Sequence, residues 1–170
     1  MLHAAEHILG RTLRSVLDVG CGEGNWRPHL KTLRPRLRYI GVDPSEYAVR
    51  RWGKRRNIQL GSVDNLGVEG EFDLVLCCGV LNYLEAPTLV KGLQEMARRV
   101  GGVAYLDMYT ARDAVTGDTR GAKRRSASWY RATIKKAGLT PCGMHLYASR
   151  ATADQLVSLE RFPDGATHRR

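Results

Sequence analysis

Three acids and one run of glycines are the residues with chemistry to offer. The run is Gly20-Cys21-Gly22-Glu23-Gly24-Asn25, and Asp18 stands two residues before its first glycine. Glycine lets the backbone turn sharply and lets a ligand approach with no Cβ in the way. Where such a run joins a strand to a helix, free N–H groups and the positive end of the helix dipole face that ligand. The spacing is GxGxG, not the GxGxxG of dinucleotide binders. A carboxylate at Asp18 would repel a pyrophosphate and suits an ammonium or a sulfonium. The second acid, Asp43, follows at the distance where an acid about 20 residues past a glycine loop accepts ribose hydroxyls. Asp43-Pro44-Ser45 is also a turn and helix-start signal. The third acid lies in Gly61-Ser62-Val63-Asp64-Asn65 and could accept from an adenine amino group, although an Asx turn explains it equally well.

Short apolar runs must position these residues. Strands are predicted over Ser15–Val19, 39–42, Ile58–Leu60, 73–78 and 103–108, near-continuous in Val, Ile, Leu and Tyr. Such runs suit a parallel sheet buried on both faces. Helical spacing falls between them, over 25–33, 45–55, 87–100 and 128–137, after a short N-terminal helix within 1–13. The alternation argues a doubly wound α/β sandwich. The tail breaks it: 140–147 and 155–161 read as two successive strands, hence a hairpin with one antiparallel strand at the sheet edge. The segment 107–126 has little periodicity and carries Arg112, Arg120, Lys123, Arg124 and Arg125. It reads as a solvated loop or a lid.

In order and spacing, VLDVGCGEG, YIGVDPS, SVDNL and FDLVLCCGVLNYL resemble the class I S-adenosylmethionine (SAM) dependent methyltransferases, from about residue 14 to the C-terminus. The resemblance implies a seven-stranded sheet, order 3-2-1-4-5-7-6, with strand seven antiparallel. It places Asp18, Gly20, Cys21, Gly22, Gly24 and Asn25 around the methionine part of SAM, and Asp43 with Pro44 at the ribose. Asp64 would meet the adenine amino group and Asn65 the adenine. Cys78 and Gly79 would line the methionine end by backbone atoms. Tyr83 stands where many relatives carry His, which weakens any histidine-base claim. Strand-end candidates for a base are Tyr83, Asp107 and Tyr109. Arg124 and Arg125 could clamp a carboxylate or phosphate on the acceptor.

Net charge is the unusual bulk property: 27 Lys and Arg against 17 Asp and Glu, or +10. Such a field favours anionic partners. A small-molecule methyl acceptor, acidic ones included, is the expected substrate, with S-adenosylhomocysteine (SAH) as by-product. An RNA methyltransferase is the second reading, on the basic clusters 34–38 and 50–56. A SAM-binding module without catalysis is the third. The four cysteines form no CxxC pair, so zinc-ribbon and thioredoxin chemistry fall away. His3-Ala-Ala-Glu6-His7 matches a zinc-protease pattern, but it sits at the terminus with no further ligand in view. No metal is expected. No signal peptide or membrane span is read, so the expected setting is cytoplasmic. Oligomeric state is not legible.

Overall fold

A computed structural model describes residues 1–117 and 119–156. Its centre is a seven-stranded sheet of β1 (Ser15–Val19), β2 (Arg38–Asp43), β3 (Ile58–Leu60), β4 (Phe72–Cys78), β5 (Val100–Asp107), β6 (Thr140–Gly143) and β7 (Leu146–Ala148). The strand order is β3-β2-β1-β4-β5-β7-β6. β1 to β5 pair in parallel, and β7 runs antiparallel to β5 and β6. The order and the antiparallel strand are those the resemblance implies.

Strand alternation explains the two layers of core. Leu17 and Val19 of β1 and Val75 and Cys77 of β4 join Leu89, Leu93, Tyr130 and Ile134. Those last four belong to α4 (Ala86–Ala97) and α5 (Ala127–Lys136). Val16, Leu74 and Leu76 face the other way, against Leu2, Ala5, Leu30 and Ala153. These lie on α1 (Leu2–Leu9), α2 (Trp26–Leu33) and α6 (Arg150–Gln155). All five residues of β1 are buried, as a strand covered on both faces must be. α3 (Glu46–Arg56) starts at Ser45, whose hydroxyl accepts from the Ala48 amide at 3.2 Å.

The tail departs from the sequence reading. The hairpin is not made of 140–147 and 155–161. It lies wholly within 140–148, turning at Gly143, Met144 and His145, which all adopt left-handed φ of 86°, 52° and 60°. Arg150–Gln155 is helix, capped by the Ser149 hydroxyl on the Thr152 amide. Residues 157–161 lie outside the described residues. The N-terminal helix is also shorter than 1–13, since Gly10 closes it with φ 62°.

Candidate functional site

The glycine run leaves the carboxyl end of β1 as a tight loop. Gly20, Gly22 and Gly24 have φ of 69°, 54° and 73°, a region costly for side chains. Their surroundings differ. A Cβ at Gly20 would stand 2.4 Å from Val80 Cγ2, so Gly20 is bare for packing. A Cβ at Gly22 would meet nothing within 4 Å, and the same holds at Gly79 at the end of β4. Two left-handed glycines thus border open space at neighbouring strand ends.

Asp43 ends β2 beside this loop. Its Oδ2 accepts from the Gly22 amide at 2.7 Å and its Oδ1 from the Ser45 amide at 2.9 Å. One carboxylate therefore fixes both the glycine loop and the entry to α3, and each oxygen keeps a further lone pair. Asp18 is almost fully buried beneath, accepting from the Tyr39 hydroxyl at 2.6 Å. Burial pushes its carboxyl up to about 6; the Tyr39 hydrogen bond works against that rise and the charge of Asp43 adds to it. Tyr39, Gly41 and Asp43 share one face of β2. The bare Gly41 makes room for Cys21, since a Cβ there would lie 2.6 Å from its Sγ. Burial pushes the Cys21 and Cys78 thiols up to about 12, so both stay neutral at physiological pH.

Other expected site residues occupy distinct places. Asp64 accepts from the Ser62 hydroxyl at 2.7 Å and faces Lys91 Nζ at 3.5 Å, which hold its carboxyl below the usual range. Asn65 is exposed and bridges back to Ser62. Tyr83 is 42% exposed in a 3-10 turn, Leu81–Tyr83, after β4. The Tyr109 hydroxyl is buried near Tyr83; burial first, then that neighbour, push its phenol up. Arg124 donates to the carbonyls of Ala111 and Asp113, both at 3.2 Å. Arg125 donates to the Leu84 carbonyl at 2.6 Å and lies over the Trp129 ring. Both arginines brace the segment 107–126.

Sequence reasoning passed over three positioning residues. Tyr39 supplies the buried partner of Asp18. Arg56 ties α3 to the glycine loop through the Glu23 carbonyl at 2.8 Å and Asn25 Oδ1 at 2.9 Å. Asn82 is 1% exposed and pins 107–126 to the end of β4: it bonds the Tyr109 carbonyl, the Tyr109 amide and the Tyr130 hydroxyl. Only Tyr39 had a usable signal, its even spacing from Asp43 on one strand. Glu6 of the zinc-like pattern is instead clasped by Arg34 at 2.7 and 2.5 Å, locking α1 to the end of α2. Among the described residues, no group of three or more His, Cys, Asp or Glu is placed to hold a metal. Among them too, no helix is long and apolar enough to cross a membrane.

A family model described as a methyltransferase domain matches residues 16–101, half of the chain. The chain belongs to the methyltransferase family. Its sheet order and antiparallel strand are those that the resemblance to the class I, SAM-dependent methyltransferases implies. Among solved methyltransferases, the sugar N-methyltransferase of a Streptoalloteichus species superposes with a TM-score of 0.71 at 18% identity. It covers 87% of this chain and 84% of that one. The magnesium protoporphyrin IX methyltransferase of Synechocystis, solved with SAH, gives 0.62 at 16% identity, covering 79% and 73%. Both likenesses are likenesses of fold. An uncharacterized protein of Synechococcus is 32% identical over 106 residues, 55% of this chain. This chain spans only 25% of that curated relative's length.

Proposed function

We propose that the chain transfers the methyl group of SAM to a small molecule, acidic ones included, and releases SAH. The observation that carries this reading is the Asp43 carboxylate, which bridges Gly22 and Ser45 above the buried Asp18. The residues fit the group: open space at Gly22 and Gly79 borders an acceptor for paired hydroxyls and an anion for a cationic chain. SAM, when bound, supplies a methyl already activated on a sulfonium.

The remaining work belongs to the chain. Asp43 holds the ribose hydroxyls with its spare lone pairs, beside Pro44. Asp18, ionised above about pH 6, attracts the ammonium, with Gly20, Cys21, Gly24 and Asn25 shaping the loop around it. Asp64 and Asn65 take the adenine, and the Cys78 and Gly79 backbone borders the methyl. Tyr109 keeps its proton at neutral pH, and so do the thiols of Cys21 and Cys78. Catalysis is therefore mainly alignment, which can supply about 7–11 kcal/mol. The segment 107–126 covers the acceptor side.

The test is mass analysis after incubating the protein with methyl-labelled SAM and a metabolite extract. A labelled small molecule is the expected product. SAM binding without any labelled product would leave a binding module, and label on RNA alone would select the RNA reading.

A further inference from the structure

A concavity opens at the carboxyl edge of the sheet, one strand beyond the site just described. It has a volume of about 250 Å³ and lies between the end of β5, the first turns of α5 and the β6–β7 turn. Met108, Tyr130, Leu146 and Tyr147 give it apolar and aromatic walls, and Arg131 lines it beside them. Ala127, Tyr130 and Arg131 reach it together because positions i, i+3 and i+4 share a helix face.

Three features mark it as more than a dent. First, none of the described ion pairs uses Arg131, whose charge acts on the half-buried phenol of Tyr147. This exposed guanidinium, beside apolar and aromatic walls, is a fork for a carboxylate, bonded at two points. Second, the turn that closes the cavity holds Met144 and His145 in left-handed backbone, a conformation that costs about 1–3 kcal/mol in a non-glycine residue. Third, the cavity lies one strand from the end of β4, where the proposed SAM site ends: Met108 in its wall follows Asp107, the residue paired with Cys78. The His145 ring meets the Tyr105 ring edge-on, with centroids 6.1 Å apart. Tyr105 lies two residues before Asp107, and Asp107 pairs with Cys78 in the β4–β5 ladder. Adjacent strands are about 4.8 Å apart, so a single ring can bridge the gap.

We propose that this cavity receives the methyl acceptor, and that the acceptor is a monocyclic aromatic hydroxycarboxylate. Its ring packs against Met108, Tyr130 and Tyr147, and its carboxylate lies on Arg131. The hydroxyl oxygen then gains the methyl, the electron pair of the broken C–S bond stays on sulfur, and the hydroxyl proton passes to water. The assignment rests on the methyl-transfer reading above.

Calorimetry on the full chain tests it, with the three monohydroxybenzoates as probes, their neutral amides as controls, and SAH titrated separately. At least one hydroxybenzoate binds saturably. Arg131→Gln weakens it about tenfold or more, as loss of a charged hydrogen-bond partner does, and Arg131→Lys restores part of the loss. The amides bind both proteins equally, and SAH binding is the same in wild type and both variants, which also shows that the variants fold. SAH binding with no hydroxybenzoate binding, or hydroxybenzoate binding indifferent to Arg131→Gln, overturns the acceptor assignment alone. Failure of SAH to bind overturns the methyl-transfer reading itself.

Discussion

In the proposed site, the role given to Asp18 and the stability of the fold pull against each other in one side chain. Its folded-state carboxyl titrates near 6, above the ordinary 3.8, because burial penalises the charge. The folded protein therefore holds this proton more tightly than the unfolded chain. Its contribution to stability is full below about pH 4 and is lost as the pH rises through about 6. The ionised form thus costs roughly 3 kcal/mol at pH 8. Asp18→Asn should make the ligand-free protein more stable at pH 8, with the gain vanishing near pH 3.5; urea titrations at the two pH values measure it. The same variant should weaken SAM binding, and wild-type affinity for SAM should fall as the pH drops through about 6. A variant less stable at pH 8 would mean that the charge is welcome even without ligand.

At the scale of elements, the β1–loop–α2 and β2–α3 units were legible because local signals agree: apolar runs, glycines and a Ser45 cap at fixed offsets. The tail was not. Residues 140–147 read as one strand, since neither Met144 nor His145 advertises the left-handed turn they make. The segment 107–126 was also illegible as a packed element. Its anchors are Asn82, 27 residues from Tyr109, and the Lys123–Glu85 ion pair at 2.7 Å. No periodicity carries pairings at that separation. Asn82→Ala strands the Tyr109 backbone and the Tyr130 hydroxyl, and should cost about 2–3 kcal/mol in chemical denaturation. It should also speed tryptic cutting near Arg120–Arg125 in the folded protein. Unchanged cutting would mean that other contacts hold the segment.

For the whole molecule, the charge of +10 is unevenly placed. α3 alone carries Arg50, Arg51, Lys54, Arg55 and Arg56, and none joins a described ion pair. Three of these guanidiniums, on Arg51, Arg55 and Arg56, lie over the Trp52 ring. Yet α3 flanks β2 and β3, at the opposite edge from β5 and β7. Any RNA held there lies away from the proposed acceptor cavity. Binding of a generic RNA should accordingly be backbone-driven and fall steeply between about 50 and 200 mM salt, while methylation of small acceptors continues undisturbed. Filter binding across that range checks it; RNA affinity that resists salt would favour the RNA reading.

The central claim is that Asp43 and the glycine loop hold an adenosyl ligand. Titrating the full chain with SAH, beside Asp43→Ala, tests it most directly. Saturable binding with a Kd of about 1–100 µM is predicted, weakened at least about thirtyfold in the variant, near 2 kcal/mol. A flat titration, or equal affinity in the two proteins, would contradict it.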